Sequence, residues 1–123
     1  KGALQRDECR GAHFKPDFAL GGLEEGDAAD RRRQAEAWCD RFEENTAKWL
    51  RSSITRHQPD GQPELTYEAV DTSLIPPRPR LYGLVGAELI EQAWKERAAK
   101  KAAAQGPGNG LQAGKPTMAG AAS

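Results

Sequence analysis

An apolar stripe between positions 28 and 49 constrains the fold of this chain more than any other feature. Asp27 precedes the stripe as a helix N-cap, and Asp30 follows three residues later, as in a capping box. We therefore predict an amphipathic helix from about Ala28 to Trp49, which must bury one face against a partner. The members of the stripe recur at steps of three and four residues, the period of an α-helix: Ala35, Trp38, Cys39, Phe42, Thr46 and Trp49.

Two segments after this helix alternate between apolar and polar residues, as β-strands with one buried face do. They run from Leu50 to His57 and from Leu65 to Val70, and the residues between them, Gln-Pro-Asp-Gly-Gln-Pro, are rich in turn formers. A two-stranded hairpin is barely stable alone, so it needs support from the helix or from a missing domain. We predict a small α+β domain in which the amphipathic helix packs on the hairpin.

Residues 71–82, which we call the strap, cannot join a helix or a β-ladder because Pro76, Pro77 and Pro79 interrupt them. An extended strap across a neighbouring domain is favoured over the alternative, a polyproline ligand for a recognition module. Residues 87–104 predict a C-terminal helix whose apolar first half docks and whose basic second half is solvated. Residues 105–123 are rich in Gly, Ala and Pro and are predicted to form a disordered tail.

Composition argues against some classes of function. The 123 residues include 18 Lys and Arg and 18 Asp and Glu, and a net charge of zero argues against nucleic acid as a partner. No apolar run is long enough to span a bilayer. Three consecutive arginines at 31–33 are interpreted as a solvated face, with Arg32 paired to Glu36, rather than as an anion or nucleic-acid site. Cys9 and Cys39 are interpreted as reduced thiols, Cys39 being buried, with a disulfide between them as the alternative.

A polar cluster lies near the start of the chain, where Glu8, Arg10 and His13 surround Gly11. Gly11 is predicted to end a helix that covers residues 1–10, since helices commonly end on a glycine with positive φ. An imidazole beside charged groups is a candidate for catalysis. The favoured interpretation is instead an ion-paired cluster that fastens the helix end to another domain. Neither histidine has partners at metal-ligand spacing, and no Gly-x-Gly-x-x-Gly follows a strand, so neither a metal site nor a dinucleotide site is predicted.

Three blocks of this chain share their order and spacing with a known family. The first is Glu8-Cys9-Arg10-Gly11-Ala12-His13, the second is the amphipathic helix and its hairpin, and the third is Glu64–Asp71 followed by Ile75–Tyr82. They resemble the C-terminal domain of the flavoprotein subunit of succinate dehydrogenase and fumarate reductase, whose signature is Glu-Ser-Arg-Gly-Ala-His. Cys9 stands where that signature has Ser. The resemblance covers about residues 1–82, and residues 83–104 are a helical extension beyond it.

The resemblance implies part of an oxidoreductase of electron transport and the tricarboxylic acid cycle. The intact subunit of that family binds FAD covalently through a His, interconverts succinate and fumarate, and passes electrons to an iron–sulfur subunit. The flavin fold and the substrate-binding residues lie upstream, so no catalytic, cofactor-binding or metal residue is expected in this chain. The residues that carry over are the signature residues Glu8, Arg10, Gly11 and His13, which are expected to pack against the flavin domain.

The expected partners are the upstream FAD-binding domain, the iron–sulfur subunit and membrane-anchor subunits, at the cytoplasmic face of the membrane. The absence of an initial Met and the abrupt start in a helix indicate a piece of a longer protein, inactive when isolated. Two alternatives remain. One is a stand-alone helix–hairpin module that binds a protein through its basic helix and strap. The other is L-aspartate oxidase, which carries a similar Arg-Gly-x-His region but matches the third block less well.

Overall fold

The computed structural model describes residues 1–106 and shows α-helices and one two-stranded antiparallel sheet, which confirms the predicted α+β class. A 3₁₀ turn at Pro16–Phe18 lies between the first two helices. The elements in chain order are α1 (Gly2–Gln5), α2 (Ala28–Trp49), β1 (Arg51–Arg56), β2 (Glu64–Ala69) and α3 (Ala87–Gln105).

Helix α2 begins and ends at the predicted residues. Its N-cap is Asp27, whose side chain accepts a hydrogen bond from the backbone N–H of Asp30 at 2.8 Å. The carboxylate of Asp30 does not return to Asp27, so only half of the predicted capping box forms. It accepts hydrogen bonds from Gln34 and Arg33 instead, and these bonds, that of Gln34 first, lower the pKa of Asp30. An acid here also suits the positive end of the helix dipole.

The hydrophobic core lies between α2 and α3, which supplies the partner that the apolar stripe needs. Cys39 on α2 and Ile90 on α3 are both fully buried. Phe42 stacks on Trp38 with ring centroids 5.7 Å apart and meets the edge of Trp94 at 5.2 Å. Both cysteines are free, as predicted, and burial raises the pKa of the Cys39 thiol. The buried members of the core are Leu23, Ala35, Trp38, Cys39, Ile90 and Ala93.

A short loop contact positions α3 against this core. The backbone N–H of Leu23 donates to the carbonyl of Val85 at 2.7 Å, immediately before the helix begins. Gly86 follows with a φ of 80°, and the Leu23 side chain lies where a Cβ at position 86 would be. A glycine is needed here because other residues rarely adopt this φ.

The prediction that the basic half of α3 is solvated is wrong for Arg97, whose side chain is 23% exposed, whereas Lys101 is 63% exposed and is solvated as predicted. Arg97 forms ion pairs with Asp40 at 2.7 Å and with Glu43 at 3.3 Å, and Lys101 bonds Glu43 at 2.6 Å. Both acids lie on α2, so the pairing of the two helices continues beyond their apolar contact. Arg32 pairs with Glu36 at 3.5 Å as predicted and also contacts an acid of α3.

The hairpin extends from the end of α2, with Arg51 paired to Ala69 at one end of the register and Arg56 to Glu64 at the other. Helix α2 packs mainly along α3, whereas the Trp49 ring at its end meets the hairpin at Tyr67, 6.3 Å between centroids. The N-terminal segment also touches the hairpin, since the Lys1 ammonium donates to the Pro63 carbonyl at 3.2 Å. These contacts join the hairpin to the end of α2 and to the N-terminal segment.

The predicted helix over residues 1–10 is wrong in its extent, because α1 ends at Gln5 and Arg6 is extended, with φ −90° and ψ 98°. Gly11 does have a positive φ of 59°. It occupies a two-residue turn, however, in which Arg10 and His13 exchange backbone hydrogen bonds of 2.9 and 3.0 Å. An isolated helix this short is marginal in water, so the tertiary bonds of residues 6–10 prevail.

No helix or strand forms within the strap, as the prolines predict. The predicted disorder of residues 107–123 lies outside the described residues, whereas Gln105 is the last residue of α3. The division of the chain at residue 82 stays a prediction. Among the described helices, none combines the length and apolarity that crossing a bilayer requires.

Candidate functional site

The centre of the candidate site is the Glu8 carboxylate, which is almost completely buried at 1% residue exposure. It accepts hydrogen bonds from two arginines, Arg6 and Arg10, and the Arg10 Nη2 lies 2.9 Å from its Oε2. A buried carboxylate is costly unless it is paired and hydrogen-bonded. The two guanidinium groups provide this compensation.

Arg6 connects this carboxylate to the end of α2 and to β1. Its guanidinium donates to the carbonyl of Trp49 at 2.7 Å, to the carbonyl of Arg51, and to the Ser53 hydroxyl at 3.2 Å. It also lies 5.6 Å from the centre of the Trp49 ring. The last carbonyls of a helix lack partners within the helix, and Arg6 satisfies one of them. Arg6 therefore ties the polar cluster to both the helix and the hairpin.

Sequence reasoning missed Arg6 because it placed this residue in a helix. In an extended segment, residues two apart point to the same side. Arg6, Glu8 and Arg10 then form an alternating row of cation, anion and cation on one face. This period of two was the available signal, and the prediction of a helix over residues 1–10 concealed it.

The structure brings all four predicted signature residues together in residues 8–13, here called the signature turn. Gly11 supplies the positive φ that the turn requires. The His13 Nε2 lies 2.9 Å from the carbonyl oxygen of Arg6. A carbonyl only accepts, so this ring nitrogen donates the bond. The carboxylate that pairs with Arg10 is that of Glu8.

The charged groups of the polar cluster bond mainly to one another and to the backbone. The Glu8 carboxylate is engaged by two cations, and the His13 Nε2 is engaged by backbone. A general acid or base must reach a substrate proton within hydrogen-bond distance. Arg10 keeps donors available, because its side chain is 39% exposed. The arrangement is that of a closed structural cluster with one arginine at its surface.

A cleft of about 770 Å³ lies beside the signature turn. Its residues come from the signature turn, the segment after it, α2 and the strap, so it is lined by parts of the chain that are distant in sequence. Three arginines contribute to the lining, Arg10, Arg78 and Arg80. The apolar lining includes Phe14, Phe18, Leu20, Trp38, Phe42, Val70, Ile75, Pro77, Tyr82 and Leu84.

Metal-ligating side chains do not gather in this region. Within residues 1–106, no three His, Cys, Asp or Glu side chains are arranged so that they could hold a metal ion. His57 is exposed just after β1 and is far in sequence from the signature turn. Cys9 is exposed, and its sulfur accepts from the backbone N–H of Lys15 at 3.4 Å.

Comparison with known proteins points to the same family as the signature residues do. The family described as fumarate reductase flavoprotein C-term matches residues 1–82. The succinate dehydrogenase flavoprotein subunit of Bacillus subtilis (strain 168) is 35% identical over 82 residues, which are 66% of this chain and 10% of that subunit. The chain thus spans about a tenth of the length of this curated relative. No solved structure matches it. The chain belongs to the family of C-terminal domains of succinate dehydrogenase and fumarate reductase flavoproteins.

Proposed function

We propose that this chain is the C-terminal, structural part of a flavoprotein subunit that interconverts succinate and fumarate. Electrons pass through FAD to an iron–sulfur subunit. The family match and the printed name of the relative support the reaction. The small share of the relative that the chain spans supports its assignment as one part of a larger subunit.

The observation that carries an inter-domain role is the closed state of the signature turn. Glu8 is buried between Arg6 and Arg10, and His13 bonds to backbone, so these groups hold the turn in one shape. A rigid turn with a half-exposed Arg10 and exposed aromatic residues beside it is suited to packing against a second domain. The signature residues Glu8, Arg10, Gly11 and His13 then position that domain and take no part in the reaction.

In this proposal FAD is bound covalently by the upstream domain, and this chain contributes no catalytic or cofactor-binding residue. The other partners are the iron–sulfur subunit and the membrane-anchor subunits, and the complex lies at the cytoplasmic face of the membrane. Residues 1–82 form the family domain, and residues 83–104 form a helical extension that supports it. The burial of Ile90 and Ala93 against α2 supports this role for the extension.

The test compares this chain with the full-length subunit, both purified from the same host. Flavin is measured by absorbance after denaturation, and activity by succinate-dependent reduction of a dye. The subunit should retain flavin and oxidise succinate, whereas the chain alone should do neither. Flavin bound to the isolated chain would contradict the proposal. Oxidation of L-aspartate without oxidation of succinate would assign the subunit to L-aspartate oxidase instead.

The role of the signature is tested in the full-length subunit. Arg10→Ala should lower the flavin content, because it removes the cation that faces the second domain and leaves Glu8 with one partner. Arg56→Ala is the matched control, since Arg56 is an exposed arginine on the hairpin and is remote from the signature turn in sequence. Equal flavin content in both variants would show that the signature turn does not position the flavin domain.

A further inference from the structure

We propose that the cleft beside the signature turn receives a chain segment of the upstream flavin domain, and that this segment presents an apolar side chain next to a carboxylate. The inference rests on the proposed function and adds to it the place and the chemistry of the contact. Four features of the cleft support it: its volume, its exposed apolar side chains, its excess of arginine and its closeness to Lys1 along the chain.

The volume of the cleft suits several side chains. At about 770 Å³ it falls within the range of roughly 300–1,000 Å³ that is typical of sites for drug-sized ligands. Helix α2, the strap and the signature turn each contribute residues to the lining. The cleft can therefore hold a short piece of polypeptide with its side chains.

Exposed apolar groups are concentrated at this cleft. Nine large hydrophobic residues within positions 1–106 are exposed, and five of them line it. Ile75 and Tyr82 on the strap are 83% and 85% exposed. Single exposed apolar residues are normal on a protein surface, whereas a contiguous group marks an interaction site. The five residues are Phe14, Phe18, Val70, Ile75 and Tyr82.

The charges of the lining favour an acidic occupant. The lining contains three arginines and two carboxylates, an excess of one positive charge, and one of the arginines, Arg78, also pairs with Glu91 at 3.5 Å. The Asp71 carboxylate is also occupied by the backbone N–H of Ser73 at 2.9 Å. Arg80 forms no salt bridge with any residue of the part of the chain that the structure describes. An arginine fork binds a carboxylate well, and it does so most strongly where water is excluded.

The position of the cleft favours the upstream domain over other occupants. Glu8 lines the cleft and lies seven residues after Lys1. Seven residues of fully extended chain span about 25 Å at most, so a domain joined before Lys1 reaches the cleft without a long linker. Attachment within one polypeptide also raises the effective concentration of the segment.

The test uses photo-crosslinking in the full-length subunit. In the test variant a benzophenone amino acid replaces Ile75, which lines the cleft. In the matched control it replaces Leu74, a residue that is 93% exposed and is not part of the lining. We expect the probe at 75 to cross-link to one segment of the flavin domain with an Asp or Glu beside the cross-linked residue. The probe at 74 should give at most scattered products. Cross-links from position 75 to a second copy of the subunit or to the iron–sulfur subunit, or the same products at both positions, would overturn the inference.

A charge reversal tests the acidic partner. Arg80→Glu should lower the yield of the cross-link from position 75 by about tenfold, because like charges then meet in the contact. Replacing the acid identified by the cross-link with Arg should restore the yield. Arg56→Glu is the control and should leave it unchanged. An unchanged yield in Arg80→Glu would refute the proposed charge pairing.

Flavin content and succinate oxidation are measured on the same samples, which separates the two proposals. A subunit that oxidises succinate while position 75 fails to cross-link to the flavin domain refutes the cleft and leaves the proposed function standing. A subunit that cross-links as expected but neither holds flavin nor oxidises succinate refutes the proposed function and leaves the docking contact standing.

Discussion

The pair of helices α2 and α3 and the region formed by the signature turn, hairpin and strap are stabilised in different ways. The helix pair buries apolar side chains, with Cys39 and Ile90 fully inaccessible. In the second region the most completely buried side chain is the charged Glu8, while Ile75 and Tyr82 remain exposed. One region is held by apolar burial and the other by directed hydrogen bonds to arginine.

The two regions also differ in what they leave exposed to solvent. Apolar burial is the main favourable contribution to folding, and the helix pair obtains it from residues of this chain. The second region has its buried carboxylate paired with arginine but several of its apolar groups exposed. The proposed docking contact would cover these exposed apolar groups.

The largest effect is expected for Arg6→Ala, which removes one cation from the buried Glu8 and leaves the Trp49 carbonyl without this donor. Breaking a buried ion pair costs about 3–5 kcal/mol. Native-state hydrogen exchange should show this loss in the amides of β1 and the signature turn, with smaller changes in α3. Arg56→Ala is the control, and a surface change of this kind stays within about 0.5 kcal/mol. Equal protection losses in α3 and β1 would show that the two regions are not separable.

A somewhat smaller loss is expected for Ile90→Ala, which opens a cavity between the two helices. Truncating a fully buried Ile to Ala typically costs about 2–5 kcal/mol. Urea unfolding followed by far-ultraviolet circular dichroism measures the change. Leu74→Ala is the control because Leu74 is exposed on the strap, and it should have little effect. A stability of Ile90→Ala equal to that of the control would mean that apolar burial does not hold the helix pair.

The ion pairs between the helices should contribute less. Arg97 and Asp40 lie 2.7 Å apart with side-chain exposures of 23% and 62%. Partly exposed pairs of this kind couple by about 0.2–1 kcal/mol. A double-mutant cycle with Arg97→Ala and Asp40→Ala measures the coupling energy, and raising the salt concentration should reduce it. A coupling energy larger than the loss of stability in Ile90→Ala would reverse the ranking of apolar and ionic contributions.

The smallest expected effect is a pH dependence of the stability of the helix pair. The hydrogen bond from Gln92, followed by that from Arg32, lowers the pKa of Glu96 below its ordinary value of 4.5. The contribution of Glu96 to stability is therefore complete above pH 4.5 and is lost as the pH falls through the lower pKa of the folded state. Carboxyl chemical shifts from nuclear magnetic resonance follow the titration. Glu96→Gln should remove this part of the acid sensitivity, and an unaltered pH dependence would show that Glu96 contributes nothing.

Several features of the fold were predictable because short-range patterns determine them. The stripe from Ala35 to Trp49 and the Asp27 cap predict α2 to the residue, since helical period and capping act within a few positions. The alternation and turn residues likewise predict the hairpin. The signature predicts the family, and Gly11 predicts a positive φ, although in a turn rather than at a helix end.

The sequence by itself determined where α2 lies, which residues form its apolar face, and which family the chain resembles, because local period and motif express these directly. Tertiary structure decided that residues 6–10 leave the helical conformation, that Arg6 bonds to both Glu8 and Trp49, and that α3 covers α2. Arg6 and Trp49 are 43 positions apart. Such a bond depends on how the chain returns to itself, and local propensity, which is weak in a segment this short, does not specify that path.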